Sequence, residues 1–447
     1  MVKIFKATPR KKDTRVNNNK PQQLFVDKLD YHGVGLCLST KPITKIPGAL
    51  ANETVQVSVM DTNAKVNTAK LLKVVNKSDN RAAPFCCHYA RCGGCSLQHL
   101  DQAQGLREKT KALQTSLRHH ANLGEETWVE SIESLAKYRR KVRLSIDARN
   151  LNDIRIGYRE SSSKKIVDIT ECPILSDKLH VAVFGILPTL RSLKSVRNIG
   201  HLVFFESNDE VSLSVHCMKA LRENDAKVLQ SIATKLNTTL FIALKDKGID
   251  DEYQHTLRVS GYQEQNLQQN LDVTMTDFVQ VNDNVNQQML SRALEWLAPK
   301  PSETVFDFFS GAGNFSLAMA TRANKVFAYE VSDNMVLRCN HNARINKISN
   351  VVATKANLDA EQALNDIELS DEAVIVLDPA RSGAKKLVEK LAKSKANRIL
   401  YVSCNPNTFI RDVGLMESTF RIEKICTLDM FPFTEHIEVM ALLVRRE

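Results

Sequence analysis

The sequence predicts a multidomain α/β protein, and three observations carry that prediction. From about residue 280 onward, buried-strand runs alternate with helical segments, which is the grammar of a parallel, doubly wound sheet of Rossmann-like type. Residues 24–75 carry short alternating runs separated by turn residues, so a small OB-like β-barrel is the economical solution there. Between the two lies a mixture of helix and strand patterns, a central α+β domain that opens with a cysteine-rich loop. At 447 residues the chain has room for roughly three domains.

Composition narrows the function before any motif is considered. The formal net charge of +10 favours a polyanionic partner, while aromatic residues at 6% argue against an extended base-stacking surface. No window approaches the roughly 18 uninterrupted apolar residues of a membrane helix, and the basic, polar N-terminus lacks the apolar core of a secretory signal. We therefore expect a cytoplasmic protein that does not contact membranes. Ten cysteines in such a chain point to metal binding or catalysis more than to disulfides.

Residues 1–20 carry seven Lys and Arg, from Lys3 to Lys20, against the single acid Asp13, and read as a flexible basic arm. In residues 21–80 the strand-like runs are Leu24–Val26, Gly35–Leu38, Thr54–Val59 and Lys70–Val75, punctuated by Tyr31-His-Gly33, Pro47-Gly48 and Asp61-Thr-Asn63. Within them, Leu29-Asp-Tyr-His-Gly-Val-Gly35 followed by Ile46-Pro-Gly48 resembles the TRAM domain of RNA-modifying enzymes.

Residues 81–100 hold the most specific metal signal, Cys86-Cys87-His88-Tyr-Ala-Arg-Cys92-Gly-Gly-Cys95. Either Cys86 or Cys87 can join Cys92 and Cys95, giving three thiolates in one loop whose glycines let the backbone wrap closely. The best fourth ligand is Cys172, in Glu171-Cys-Pro173 after the strand-like Lys165–Ile169. Four thiolates suit Zn2+ or a [4Fe-4S] cluster, and Cys followed by Pro recurs in cluster sites.

In the central domain, residues 101–275, a basic helix is expected from Gln104 to His119. A strand begins at Tyr138-Arg-Arg-Lys-Val-Arg143, whose cations, with Arg159, Lys164 and Lys165, suggest a phosphate-contacting face. Helices at Leu179–Leu193 and Glu223–Leu236 alternate with strands at Val211–His216 and Thr239–Leu244, a scaffold without obvious chemistry.

Residues 276–447 carry the chemistry. The run Val305–Phe309 enters Ser310-Gly-Ala-Gly313-Asn314, and glycines at such a turn let a nucleoside-bearing ligand approach the backbone. A second strand, Lys325–Tyr329, ends in Glu330, at the separation where an acid meets ribose hydroxyls. A third ends in Asn357, and a fourth, Ala373–Leu377, in Asp378-Pro-Ala-Arg381. The fifth, Arg398-Ile-Leu-Tyr-Val-Ser, ends in Cys404, with Asn405 and Pro406 as N-cap and first residue of a helix. A helix N-terminus lowers a thiol pKa, so Cys404 is expected to be an activated thiolate nucleophile. Ligands of an open parallel sheet bind beyond the carboxyl ends of its strands, so one rim should collect Gly311, Glu330, Asn357, Asp378 and Cys404.

The combination of Asp277-Phe-Val-Gln280-Val-Asn282, Asp307–Phe315, Leu377-Asp-Pro-Ala-Arg381, Val402-Ser-Cys-Asn-Pro406 and Leu428–Pro432 through His436-Ile-Glu438 resembles the RNA uracil C5-methyltransferases over nearly the whole chain. The resemblance implies that Cys404 is the nucleophile and Glu438 the base. It implies that S-adenosylmethionine contacts Gln280, Phe309, Asn314, Glu330, Asn357 and Asp378, and that Cys86, Cys92, Cys95 and Cys172 hold a [4Fe-4S] cluster. Ser310 stands where the family often has Cys, and Ala380 where relatives often have a second Pro. Cysteine loop and β-barrel together imply a 23S ribosomal RNA substrate, and a monomeric enzyme is expected. A different 23S uridine, or a cluster-bearing RNA-binding protein using the methyltransferase fold as scaffold, are the alternatives. Glu438 sits in an apolar Ile-Glu-Val setting that should desolvate it and raise its pKa.

Overall fold

The structure, a computed structural model, describes residues 20–62, 64–121, 127–208, 210–244 and 256–446. The predicted basic arm, apart from Lys20, lies outside the described residues. The chain forms two compact units, Met1–Arg81 and Ala82–Glu447. Among the described residues no helix is long and apolar enough to cross a membrane.

The first unit is a six-stranded sheet ordered Gln22–Phe25, Thr54–Thr62, Val66–Asn76, Ile43–Ile46, Gly35–Cys37, Lys28–Leu29. Two of these strands were not legible from alternation: Lys28–Leu29 is too short to show a period, and the last residue of Ile43–Ile46 reads with the Pro47-Gly48 turn. Val26, Cys37, Ile46, Val55 and Val57 form the core. Glu53 is fully buried; burial opposes its charge, but Arg81 at 2.5 and 2.7 Å and the amides of Leu50 and Ser78 hold its carboxyl below its ordinary value.

The second unit contains two main sheets. The central one runs Thr238–Leu244, Val211–Cys217, Ile199–Glu206, Lys141–Asp147, Arg155–Gly157, backed by helices Asp177–Ser192 and Glu223–Lys235. Ser176 caps the first of these helices by accepting the Leu179 amide at 3.2 Å. The expected strand at Lys165–Ile169 does not form. Val167 and Ile169 bond to Tyr158 and Ile156, but only an isolated Arg159–Ile166 bridge exists. The basic helix spans Gln102–Ala121.

The predicted phosphate-contacting strand face loses two of its cations, Arg140 and Lys141, while Arg143, Arg159, Lys164 and Lys165 are exposed. Arg140 is 8% exposed, and its guanidinium donates to the Gln280 carbonyl at 3.0 Å and pairs with Asp283 at 3.0 Å. Lys141 donates to the Asp277 carbonyl at 2.7 Å. These cations tie the strand to residues 277–283 because inward-facing charges near unpaired carbonyls are satisfied there rather than in solvent.

The C-terminal sheet has seven strands, ordered Val351–Lys355, Lys325–Glu330, Thr304–Phe308, Val374–Leu377, Arg398–Ser403, Glu438–Arg445, Phe420–Leu428. The first five are parallel and the last two antiparallel. Val374–Leu377 is buried along its length, as a strand covered on both faces must be. The hairpin Leu257–Glu264 and Leu267–Val273 contributes Val259, Tyr262, Leu271 and Val273 to the same core.

Candidate active site

The carboxyl rim of the parallel strands gathers the residues that the sequence placed there. After Thr304–Phe308 the chain turns sharply, with Phe309 at φ +69° and the amides of Phe309 and Ser310 both donating to the Tyr329 carbonyl at 3.0 and 3.1 Å. Gly313, at φ +98°, has no room for a side chain: a Cβ there would stand 2.6 Å from Leu317 and 2.9 Å from the Cys339 sulfur. Gly311, at φ +53°, meets nothing within 4 Å, so its backbone is open to a ligand. Asn314 begins the following helix and is locked to Asn286 by reciprocal amide bonds of 2.8 and 3.1 Å.

Glu330 organises this turn. Its carboxylate accepts the amides of Gly311 at 3.2 Å, Val331 at 2.8 Å and Ser332 at 3.0 Å. Asn357 lies exposed two residues beyond its strand and accepts the Asp359 amide at 3.1 Å. Gln280 is held through its carbonyl by Arg140. Asp378 follows the fourth parallel strand, and burial pushes its carboxyl up to about 7. Asp307 is likewise pushed up to about 7, by burial first and then by Asp378 and Glu330, although Ser316 donates to it at 2.5 Å. Sequence reasoning passed over Asn286, which holds Asn314, and quoted Asp307 only as part of a motif without a role.

Cys404 and Glu438 meet across the strand pair. Ser403 pairs with Val439; Cys404 directly follows the one, Glu438 directly precedes the other, and the charge of Glu438 is felt at the Cys404 thiol. Asn405 caps helix Pro406–Met416 as expected, accepting the Asn407 amide at 3.2 Å. Its amide also donates to the Arg381 carbonyl at 2.8 Å, joining the turn after Asp378 to the cysteine turn. Arg381, not singled out from sequence, reaches His436 at 3.2 Å.

The electrostatics correct one expectation. The Cys404 thiol is raised above its ordinary value rather than lowered: burial dominates, Glu438 and Asp378 add to it, and only Arg381 and the local amide oppose them. The helix N-terminus is outweighed by burial of the sulfur, to which the two nearby carboxyls add. Glu438 is 6% exposed, and burial followed by the charge of Asp378 pushes it up to about 8. Its Oε2 is buried without a hydrogen-bond partner among the described residues. A thiol and an unpartnered carboxyl side by side at a strand rim can add to, and later take a proton from, one bound ring.

Cys86, Cys92, Cys95 and Cys172 form a second neighbourhood. The charges of Cys92 and Cys86 are felt at Cys95, and those of Cys95 and Cys86 at Cys172. Burial pushes Cys95 up to about 11 and Cys172 up to about 12. Cys87 instead is exposed and faces Glu171. His88 binds Thr170 rather than the thiols. Among the described residues these thiols are not drawn into a metal-ligating group. As a donor set, four partly buried thiols with the Gly94 amide 3.4 Å from the Cys92 sulfur fit a thiophilic metal centre.

The family model described as tRNA (Uracil-5-)-methyltransferase matches residues 101–446. The chain is 36% identical over 452 residues, covering 100% of both sequences, to the 23S rRNA (uracil(1939)-C(5))-methyltransferase RlmD of Vibrio cholerae serotype O1. It is 35% identical, over 99% of each chain, to the protein of the same name from Vibrio campbellii. Among solved structures, the Pyrococcus abyssi tRNA (uracil-54, C5)-methyltransferase in complex with S-adenosyl-L-homocysteine shares the fold. Its TM-score is 0.71 at 23% identity, covering 95% of this chain and 100% of that one.

Proposed function

The chain belongs to the tRNA (uracil-5-)-methyltransferase family of RNA uracil C5-methyltransferases, and from that membership we propose that it methylates C5 of a uridine in 23S ribosomal RNA. The target we assign is the position named in its full-length relatives, uracil 1939. The observation that carries this reading is the cross-strand placement of Cys404 against Glu438 at the rim beside the Gly311–Gly313 turn.

S-adenosylmethionine, when bound, supplies an electrophilic methyl group. Gln280, Phe309, Asn314, Glu330, Asn357 and Asp378 are the residues we assign to holding it. The open backbone at Gly311 and the rim position of Glu330 support that assignment. Cys404 adds as thiolate to C6 of the uracil, turning C5 into a carbon nucleophile that takes the methyl group. Glu438 then removes the C5 proton; the electron pair restores the C5–C6 double bond and expels Cys404 as thiolate. For both side chains to reach one ring, the uridine must leave its stack.

The N-terminal unit is, on this reading, a TRAM-type RNA-binding domain. Cys86, Cys92, Cys95 and Cys172 are assigned to a [4Fe-4S] cluster of structural role. Ser96 and Leu97, directly after Cys95, both donate to the Phe433 carbonyl at 2.9 Å, so order in the cysteine loop extends to the segment before Glu438.

The test is incubation with S-adenosylmethionine and a 23S fragment carrying 5-fluorouridine at the target. Fluorine cannot leave as a proton, so a gel-stable adduct should accumulate with the wild type and be absent with Cys404→Ala. Folded wild-type protein that forms no adduct would sink the assignment.

A further inference from the structure

Helix Gln102–Ala121 is basic and packs Leu106, Leu113 and Leu117 inward, and it turns one cation to the same side. Lys109 is 3% exposed, and its ammonium donates to the backbone carbonyls of His436 at 2.9 Å and Thr434 at 3.3 Å. Asp429, 4% exposed, supplies the compensating charge, and its carboxylate accepts from Gln102 of the same helix at 3.1 Å. Burying an ammonium is unfavourable unless its donors are met, and here backbone carbonyls of one particular segment meet them.

That segment, residues 429–437, joins the last two strands and ends against Glu438. It is irregular, with Phe433 at φ +64°, and therefore lacks a ladder of its own. Its second anchor is the Phe433 carbonyl, which accepts from Ser96 and Leu97. The carbonyl that Lys109 grips most closely belongs to His436, whose ring stands 3.2 Å from the Arg381 guanidinium. The charge of Arg381 draws the Cys404 thiol down. One helix residue thus bears on both members of the reacting pair without touching either.

We propose that Lys109 is a positioning residue: by holding the Thr434 and His436 carbonyls it fixes the backbone from which Glu438 is aimed at the uracil. Lys109 makes no contact with the reacting groups, so it should act on the proton-abstraction step rather than on ligand binding. The inference rests on the reading of Glu438 as base given above.

The test compares wild type, Lys109→Met, which removes the donor at similar length, and Lys109→Gln, which is neutral but can still donate. Adduct formation and breakdown on the unmodified 23S fragment are timed separately, S-adenosylmethionine affinity is measured, and hydrogen exchange is followed by peptide. Lys109→Met should slow adduct breakdown by about tenfold or more, a misplacement effect, while affinity stays within about twofold. Residues 431–438 should exchange faster, with the parallel strands unchanged, and Lys109→Gln should fall between. Wild-type breakdown and exchange in Lys109→Met would overturn the proposal, as would uniform slowing with faster exchange throughout. If Lys109→Met does not fold, the exchange map of Lys109→Gln decides between the same two outcomes. Failure of the wild type to form any adduct would overturn the functional reading instead, and the exchange arm would still test whether Lys109 holds the segment.

Discussion

Cys404 directly follows, and Glu438 directly precedes, the two residues of the terminal Ser403–Val439 pair of neighbouring antiparallel strands, and the charge of Glu438 is felt at the Cys404 thiol. Two groups that lie 34 residues apart in sequence are thereby brought within reach of one pyrimidine.

Product release should depend on the ionisation of Glu438. The carboxylate is the form that takes a proton, and its pKa is pushed up to about 8. Adduct breakdown should therefore rise about tenfold per pH unit below that value and level off above it. Glu438→Gln should form the adduct with ordinary RNA and release it about 10²–10⁴ times more slowly. Single-turnover time courses across pH check both; a flat profile would remove Glu438 from the role.

The same acids make stability fall with pH. Asp307 and Asp378 are raised to about 7 and Glu438 to about 8, so each favours the folded state while protonated. Their contribution is complete below their ordinary values near 4 and is lost as pH rises through 7 to 8. Glu53 and Glu303, held below their ordinary values, act oppositely but only in more acidic solution. The melting temperature of the protein without ligand should fall between about pH 5 and 8. Glu438→Gln should lessen the slope by up to one proton, about 1.4 kcal/mol per pH unit. A rising melting curve would contradict this.

Gly311→Ala and Gly313→Ala should fail differently. At Gly313 a Cβ collides with Leu317 and Cys339 at φ +98°, so the variant should lose about 1–3 kcal/mol of stability or more. At Gly311 (φ +53°) the Cβ meets no protein atom, so the variant should carry only the left-handed backbone strain of about 1–2 kcal/mol without a collision, together with a loss of S-adenosylmethionine affinity read by calorimetry. Equal melting temperatures for the two variants would contradict the geometry.

Arg381→Ala removes the cation that counters Glu438 and Asp378 at the thiol. Adduct formation should slow at neutral pH and recover as pH rises, because a thiol pushed further up leaves less thiolate. The pH profile of adduct formation checks this.

On the cluster assignment proposed above, disturbing the cysteine loop should reach the active site through the backbone. With the loop before Ser96 slackened, its bonds to Phe433 should weaken. Cys95→Ala or iron chelation is expected to lower the melting temperature and to speed exchange in residues 431–438. An unchanged exchange map would separate the cysteine loop from the catalytic segment.

Much of the rim was legible in sequence. Gly311, Glu330, Asn357, Asp378 and Cys404 each end a strand, and a parallel βαβ order leaves such ends on one side. Asn405 and Pro406 announced their helix by local capping chemistry alone. Lys28–Leu29 was missed because two residues carry no readable period, and Ile43–Ile46 because its last residue reads with the Pro47-Gly48 turn.

What the amino-acid order determined by itself was local: strand ends, caps, the glycine turn and the candidate nucleophile. What only the tertiary structure decided was long-range. The thiol pKa went up rather than down because the fold buries the sulfur and, second to that, sets Glu438 and Asp378 near it. Arg140 and Lys141 turned inward because residues 277–283 offered them carbonyls and a carboxylate. Lys109 gained its partners in a segment more than three hundred residues away. Capping and periodicity act over a few residues and are written in the sequence, whereas burial and Coulomb fields depend on which surfaces meet.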